Sequence, residues 1–240
     1  MKVLFVGDVH NHYYMFIDIA TLDASENFDK IIFMGDYVDD WNTNNHQSLA
    51  TLEKIFNLKE SNPNKYVFLT GNHELSYLGY KCSGHQYELD DVMNLKLIEN
   101  IDKLDFYTSI QLGDNYYICT HAGITDAFVD EYLGEKWLEK LKEMNSGKLN
   151  NLELLSKCGY FRGGADKCSS FLWADLREHK LFNNYPPKVE NQIVGHTPVP
   201  TITLNGNICF IDTHSTYKDG KEYGDKSYLM WDEDKFRVIK

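Results

Sequence analysis

Lys2-Val3-Leu4-Phe5-Val6-Gly7-Asp8-Val9-His10 is the stretch from which the rest of the chain can be read. Its apolar run, rich in β-branched residues, predicts a buried strand, and Gly7 allows the sharp turn that ends it. Asp8 and His10 follow, two residues apart, where side chains leave the carboxyl end of a sheet. Open α/β folds place their ligands there. Alone, an Asp-x-His after a strand fits a structural turn as well as a site. It gains weight because the same event recurs down the chain.

Tyr13 to Ala24 carries Met15, Phe16, Ile19, Ala20 and Leu22 at helical spacing, which predicts a helix returning over the sheet. A second apolar run, Lys30 to Met34, ends in Gly35-Asp36-Tyr37-Val38-Asp39-Asp40. Ser48 to Lys59 predicts a second helix, broken at Ser61-Asn62-Pro63-Asn64. Lys65 to Thr70 then predicts a third strand, closed by Gly71-Asn72-His73-Glu74. Three βα units therefore each finish in a Gly followed by a residue able to hold a cation.

Further on, Tyr87 to Leu104 reads as helical, and Phe106 to Leu112 with Tyr116 to Thr120 reads as a hairpin turned at Gly113-Asp114-Asn115. Its second arm ends in Thr120-His121-Ala122-Gly123. Residues 126–188 interrupt the strand rhythm with Leu-, Lys- and Glu-rich helical segments, read as an insertion or cap within a single 1–240 domain. The rhythm resumes at Asn191 to Val194, which ends in Gly195-His196-Thr197-Pro198. Short strands follow near Thr201–Leu204, Ile208–Ile211, Ser227–Trp231 and Phe236–Ile239. Lacking helical crossovers, they are expected to form a second, largely antiparallel sheet.

Composition narrows the function. The formal charge of −12 over 240 residues argues against stable nucleic-acid binding or attachment to an anionic membrane. An acidic protein can still bind phosphate if cations supply local positive charge. Five scattered cysteines (Cys82, Cys119, Cys158, Cys168 and Cys209) without a C-x-x-C pair fit a reducing compartment. The chain enters its first strand without a leader-like segment and has no run long enough to span a membrane, so a cytoplasmic protein is expected. With only Arg162, Arg177 and Arg237 present, a bidentate phosphate clamp must use one of three residues.

The candidate ligands at the strand ends are Asp8, His10, Asp36, Asn72, His121 and His196. Carboxylates, imidazoles and one amide, without thiolate, suit a divalent ion such as Mn, Fe or Zn better than a structural zinc site. Six such groups exceed what one open catalytic ion needs and suit two ions sharing a carboxylate.

In order, Gly7-Asp8-Val9-His10, Gly35-Asp36-Tyr37-Val38-Asp39, Gly71-Asn72-His73-Glu74, His121-Ala122-Gly123 and Gly195-His196 resemble the motifs of the calcineurin-like metallophosphoesterases. Within that superfamily they resemble the phosphoprotein phosphatase branch, with its bacterial and phage members. The resemblance implies a two-sheet αββα sandwich and a metal-dependent phosphatase. It implies one divalent ion on Asp8 and His10, a second on Asn72, His121 and His196, and Asp36 bridging them. Manganese leads, with Fe, Zn, Ni or Mg as alternatives. It makes His73 the general acid, oriented by Asp39. A phosphorylated protein or a small phosphoester would be the substrate. A dinucleoside polyphosphate or phosphodiester hydrolase and a non-catalytic binding scaffold stand as alternatives.

The chain departs from the family pattern in two places. Asp40-Trp41 stands where an Arg-Gly normally follows the second aspartate, so a phosphate-gripping guanidinium must come from elsewhere. Arg162 is the first candidate and Arg177 the second. Asn11 replaces a Gly, which would put bulk near the first ion. His214 could reach the site or hold a local hydrogen bond. His12 could touch substrate or lie exposed. His46, His85 and His179 read as solvated, and Cys119 as an inert core thiol. Trp173-Ala174-Asp175 could line the groove or anchor the insertion.

Overall fold

A computed structural model describes residues 1–41, 43–80 and 91–240. Strands β1 (Val3–Val6), β2 (Lys30–Phe33) and β3 (Tyr66–Phe68) run parallel, joined by helices α1 (Tyr14–Glu26) and α2 (Asn45–Ser61). α2 begins as expected for a polar cap. The Asn44 side chain accepts from the Gln47 amide, and the Gln47 side chain accepts from the amide of Asn44. β3 leads into the short α3 (Asn72–Tyr77), and α4 (Asp91–Glu99) follows with a 3₁₀ turn at Ile101–Lys103. Residues 87–90 of the helix expected from Tyr87 lie outside the described residues.

The hairpin falls where it was expected, as β4 (Tyr107–Leu112) and β5 (Asn115–Thr120), paired antiparallel. Between it and β6 (Gln192–Val194) run the short helices α5 (Asp126–Phe128), α6 (Trp137–Ser146), α7 (Leu152–Leu155) and α8 (Leu176–Phe182). β7 (Thr203–Asn205), β8 (Ile208–Phe210), β9 (Tyr228–Asp232) and β10 (Lys235–Ile239) complete the chain.

The pairing of these last strands corrects the sequence reading. β9 and β10 do not join the second sheet; they extend the first, in the order β10-β9-β1-β2-β3, with β9 antiparallel to β1. The second sheet, β4-β5-β6-β8-β7, is mixed, because β5, β6 and β8 are mutually parallel. The chain therefore changes sheets between β8 and β9. Strand length and composition carry no information about such a switch.

The two sheets face each other across a shared core. Val3 and Phe5 of β1, with Ile32 and Met34, pack toward Ile110, Cys119 and Ile193 of the second sheet. Leu4 and Val6 of β1, with Ile31 and Phe33, point the other way, under Phe16, Ile19, Leu52 and Ile55 of α1 and α2. Burial on both faces is why β1 reads as unbroken apolar sequence. On the outer side of the second sheet, Phe106 and Ile118 meet Phe128, Leu141 and Phe171 from the helical segments. The result is the layered two-sheet arrangement that the sequence implied.

Two small corrections follow. His179, read as solvated, is 3% exposed, its Nε2 lying 3.0 Å from the Ala122 carbonyl, and burial drops its pKa to about 4. Cys119, Cys168 and Cys209 are free thiols, whereas Cys158 is disulfide-bonded, so the cysteines give no argument for a reducing compartment. Among the described residues no helix is long and apolar enough to cross a membrane.

Phe33 is fully buried and stacks on Phe68 at 4.7 Å between ring centroids. Phe33→Ala should destabilise the fold by about 3–5 kcal/mol, as expected for emptying a packed aromatic site. Urea unfolding followed by circular dichroism checks this.

Candidate metal centre

The loops after β1, β2, β3, β5 and β6 all open at one end of the sandwich. They are bound to each other through backbone: the amides of Val9 and His10 donate to the Asp36 carbonyl at 2.9 and 2.8 Å, and that of Gly195 donates to the His121 carbonyl at 2.8 Å. This brings Asp8, His10, Asp36, Asn72, His121 and His196 together, although up to 188 residues separate them in sequence. Apart from the half-buried His10, all are buried.

The hydrogen bonds of two histidines decide what their ring nitrogens can do. His121 Nδ1 lies 2.7 Å from the Met34 carbonyl, so Nδ1 carries the proton and Nε2 presents a lone pair. That lone pair faces Asn72 Oδ1 at 2.9 Å, His196 Nδ1 at 3.1 Å and Asp36 Oδ2 at 3.2 Å. His10 Nδ1 likewise lies 2.8 Å from the Asp39 carbonyl, which leaves Nε2 to face Asp8 Oδ2 at 3.7 Å and Asp36 Oδ2 at 3.9 Å. Lone pairs converging on one point inside a protein need a proton or a cation between them. The arrangement offers two such points, and Asp36 Oδ2 belongs to both.

The electrostatics agree. Burial, reinforced by Asp212, pushes the Asp8 carboxyl well above the usual carboxylate range. Burial also pushes Asp36 up, but the His121, His73 and His10 rings together hold it well below that range. Burial works against a charge on His121, yet Asp36 and Asp8 raise its pKa to about 9, so without a cation a proton occupies Nε2 among these acceptors. His196 is held neutral by burial and by Arg162, and its buried Nε2 has no hydrogen-bond partner among the described residues. These groups compensate one another only by sharing protons, which a divalent cation would displace. The donor set therefore fits divalent metal. Among the described residues, the triads whose ligand atoms all lie within 4.8 Å of each other are His10, Asp36 and His73, and Asp36, His121 and His196; Asp8 belongs to neither and approaches the first through His10 Nε2 at 3.7 Å.

The backbone explains why glycines punctuate these motifs. The His73 amide donates to Asp36 Oδ1 and the His196 amide to Asp8 Oδ1, both at 2.9 Å, so each carboxylate lies against the glycine one or two residues before the donor. A Cβ on Gly71 would come within 2.1 Å of Asp36 Oδ1, and one on Gly195 within 2.2 Å of Asp8 Oδ1. His10, Asn11, Asp36, Asp39 and His196 all have positive φ, between 44° and 63°. Such conformations cost free energy in non-glycine residues and collect at functional sites.

The remaining predicted residues sort by position. His73 Nδ1 lies 3.2 Å from Asp39 Oδ2, and its Nε2 is 3.8 Å from Asp36 Oδ2. Arg162 lines the same cavity of about 450 Å³, where its Nη2 donates to the His196 carbonyl and the Thr197 hydroxyl and its Nε pairs with Asp175 at 3.0 Å. Arg177 is not among the lining residues. It grips Asp175 from outside and lies over the Phe161 ring. Asp40, where the family pattern has arginine, also lines the cavity and accepts from the Trp41 amide and the Thr216 hydroxyl, with His12 Nε2 at 3.0 Å. Asn11 does not crowd the centre: its φ of 62° is one that Asn tolerates, and its amide bonds to Thr43 and Ser48. His214 is buried away from the cavity, with Nδ1 3.3 Å from the Tyr14 hydroxyl. Trp173 lines the cavity, edge-on to His196.

Sequence reasoning missed Glu74, Asp212 and Tyr77. Glu74, fully buried, accepts from the amides of Gly71, Asp36 and Tyr37 at 2.8–3.0 Å and so ties the β2 and β3 turns together. Its place three residues after Gly71 is capping-box spacing, a signal present in the sequence. Asp212 follows β8 as Asp8 follows β1, but no Gly precedes it. The phenol of Tyr77 donates to Asp39 Oδ1.

A family model described as calcineurin-like phosphoesterase matches residues 1–200. The chain belongs to this family. Among curated proteins, this metallophosphoesterase is 29% identical over 128 residues to the serine/threonine-protein phosphatase 6 catalytic subunit of Caenorhabditis elegans. It is 27% identical over 120 residues to the serine/threonine-protein phosphatase ppe1 of Schizosaccharomyces pombe. The matched stretches cover 51% and 50% of this chain but only 36% and 38% of those relatives. Among solved structures, a protein serine/threonine phosphatase from Saccharomyces cerevisiae superposes with a TM-score of 0.57 at 14% identity, covering all of this chain and 80% of the other, which shows the shared fold. The two sequence similarities support the phosphoprotein phosphatase branch within the family.

Metal binding should be visible without any substrate. Saturating Mn²⁺, at about 100 times its Kd, should add about 2.7 kcal/mol of stability. For a chain of this size that is a rise in Tm of about 5–10 °C. Asp36→Asn, which alters the oxygen common to both points, should remove most of the rise in a thermal-shift titration.

Proposed function

We propose that this metallophosphoesterase hydrolyses phosphomonoesters with two divalent cations, in the manner of a protein Ser/Thr phosphatase. The observation that carries the reading is the pair of lone-pair convergences sharing Asp36 Oδ2. In this reading Asp8, His10 and Asp36 hold one cation, and Asp36, Asn72, His121 and His196 hold the other. Bound cations supply positive charge against the phosphoryl oxygens and acidify a water. Manganese is the first choice.

The chain's own residues do the rest. Arg162, lining the cavity beside His196, offers planar donors to the substrate phosphate. Asp175 holds that guanidinium from behind, and Arg177 supports Asp175. His73 turns Nδ1 to Asp39 and Nε2 toward Asp36 Oδ2, so the proton it can deliver sits on the cavity side. That proton goes to the departing ester oxygen. Aspartates at the centre would repel a phosphate on their own, so charge supplied by cations and Arg162 is a condition of binding.

One observation favours a second reading. Asp40 stands where the motif has its arginine, and the positive charge this leaves suits a lower charge per phosphorus, as in a phosphodiester or a dinucleoside polyphosphate. The complete set of strand-end groups together with His73 and Asp39 weighs against a non-catalytic scaffold.

A substrate panel separates these readings. The Mn-loaded protein should cleave p-nitrophenyl phosphate and a phosphoserine peptide, and Asp36→Asn should not. Preference for bis-p-nitrophenyl phosphate or diadenosine tetraphosphate would transfer the assignment to the second reading. His73→Asn should cost about 10²–10⁴-fold in kcat on the phosphoserine peptide, the usual worth of a general acid, and far less on p-nitrophenyl phosphate. Arg162→Ala should raise KM by about 10–100-fold, the equivalent of a charge-assisted hydrogen bond at ~1.5–3 kcal/mol. Arg177→Ala, one shell further out, should have a smaller effect in the same steady-state assay.

A further inference from the structure

The carboxylate that holds His73 is itself held. Asp39 has φ 63° and is 8% exposed, so it lies in a strained turn with little access to water. Its Oδ2 lies 3.2 Å from His73 Nδ1, and its Oδ1 accepts the phenol O–H of Tyr77 at 2.5 Å. Tyr77 is fully buried in the core beneath α1 and α2. It follows His73 by four residues on α3, so the two side chains rise from the same face of one helix. Helix α3 is in turn set in place by Glu74, which takes the Gly71 amide at its start, and by Asn94, which donates to the Tyr77 carbonyl.

A carboxylate with one oxygen taken by a buried phenol has lost its freedom to rotate. The other oxygen must then face the imidazole. That fixes the ring with Nδ1 toward Asp39 and Nε2 toward the cavity. The motifs that identify the family contain His73 and Asp39 but say nothing about position 77, and the phenol touches neither the cavity nor the candidate ligands.

We propose that Tyr77 is a positioning residue for proton delivery: its hydrogen bond locks the Asp39 carboxylate so that His73 Nε2 is aimed at the departing ester oxygen. The assignment rests on the reading of His73 as the acid. In the step it serves, a water oxygen bonds to phosphorus and gives up one proton to solvent, the phosphorus–ester oxygen bond breaks with its electron pair on that oxygen, the oxygen takes the Nε2 proton, and Nε2 is reprotonated from solvent. An alkoxide needs that proton, whereas p-nitrophenolate departs without it.

The test compares leaving groups in the Mn-loaded protein. Tyr77→Phe keeps the ring and removes only the donor. It should lower kcat on a phosphoserine peptide by about tenfold, a fraction of the ~10²–10⁴ that a general acid supplies. KM on the peptide and kcat on p-nitrophenyl phosphate should stay within about twofold. In an Asp39→Asn background the same substitution should add little, because the two act as one unit. Replacing Tyr77 by 3-fluorotyrosine preserves the donor and should leave both substrates near wild-type rates; if the phenylalanine variant does not fold, 4-fluorophenylalanine, which fills the hydroxyl's space without donating, carries the same test with the same expected outcome. Equal losses on both substrates, or no loss on the peptide, would overturn the positioning role while leaving the phosphatase reading intact. A slow 3-fluorotyrosine protein on the peptide would overturn it as well. A wild-type protein inactive on every phosphoester would overturn both.

Discussion

Everything at the open end of the sandwich depends on one buried carboxylate with charge to share. Asp36 lies at a positive-φ turn after β2, 2% exposed, with one oxygen taken by the His73 amide and the other facing His10, His73 and His121. Isolated, such a charge would cost several kcal/mol to bury. Here its compensation comes from three histidines carried by three different turns. Moving any of those turns would leave an unpaired charge or an unpaired ring nitrogen. The carboxylate thus acts as a structural constraint on β1, β2, β3 and β5 at once, before any cation is considered.

The constraint propagates outward through backbone amides more than through side-chain packing. Glu74 gathers amides from the β2 and β3 turns, and Asp8 takes the His196 amide from the turn after β6 in the second sheet. This explains the glycines at 71 and 195 in terms of space: the carboxylates occupy the volume a side chain would need. It also explains why strained backbone gathers at the same place. The strain is held by hydrogen bonds and by a core that buries both faces of β1.

An acidic protein that handles phosphate must solve its charge problem locally. The formal charge of −12 is an average over the surface. Within the cavity, Asp8, Asp36, Asp39 and Asp40 face Arg162 and a cluster of imidazoles. The balance there is set by what the strand ends hold. Asp40, tied to His12 and Thr216, keeps a carboxylate at the wall opposite the motif's usual charge. The wall, and not the shared centre, is thus where this chain's charge departs from the motif.

The candidate centre was legible in the sequence because its residues are coupled to strand ends. A strand with a Gly after it places the next one or two side chains at the sheet's carboxyl edge, so Asp8, His10, Asp36, Asn72, His121 and His196 could each be picked out from local pattern. The parallel β1-β2-β3 core and the β4-β5 hairpin were legible for the same reason: period and punctuation are local. What local pattern could not express was pairing between distant segments. The return of β9 and β10 to the first sheet, the burial of His179 against the Ala122 turn, the choice of Arg162 over Arg177 for the cavity wall, and the phenol of Tyr77 on Asp39 are all decided by which surfaces meet. The sequence by itself determined which side chains stand at the edge of each strand. Only the tertiary structure decided which neighbours complete their hydrogen bonds and charges, because those neighbours lie tens to hundreds of residues away and nothing in the local spacing encodes their approach.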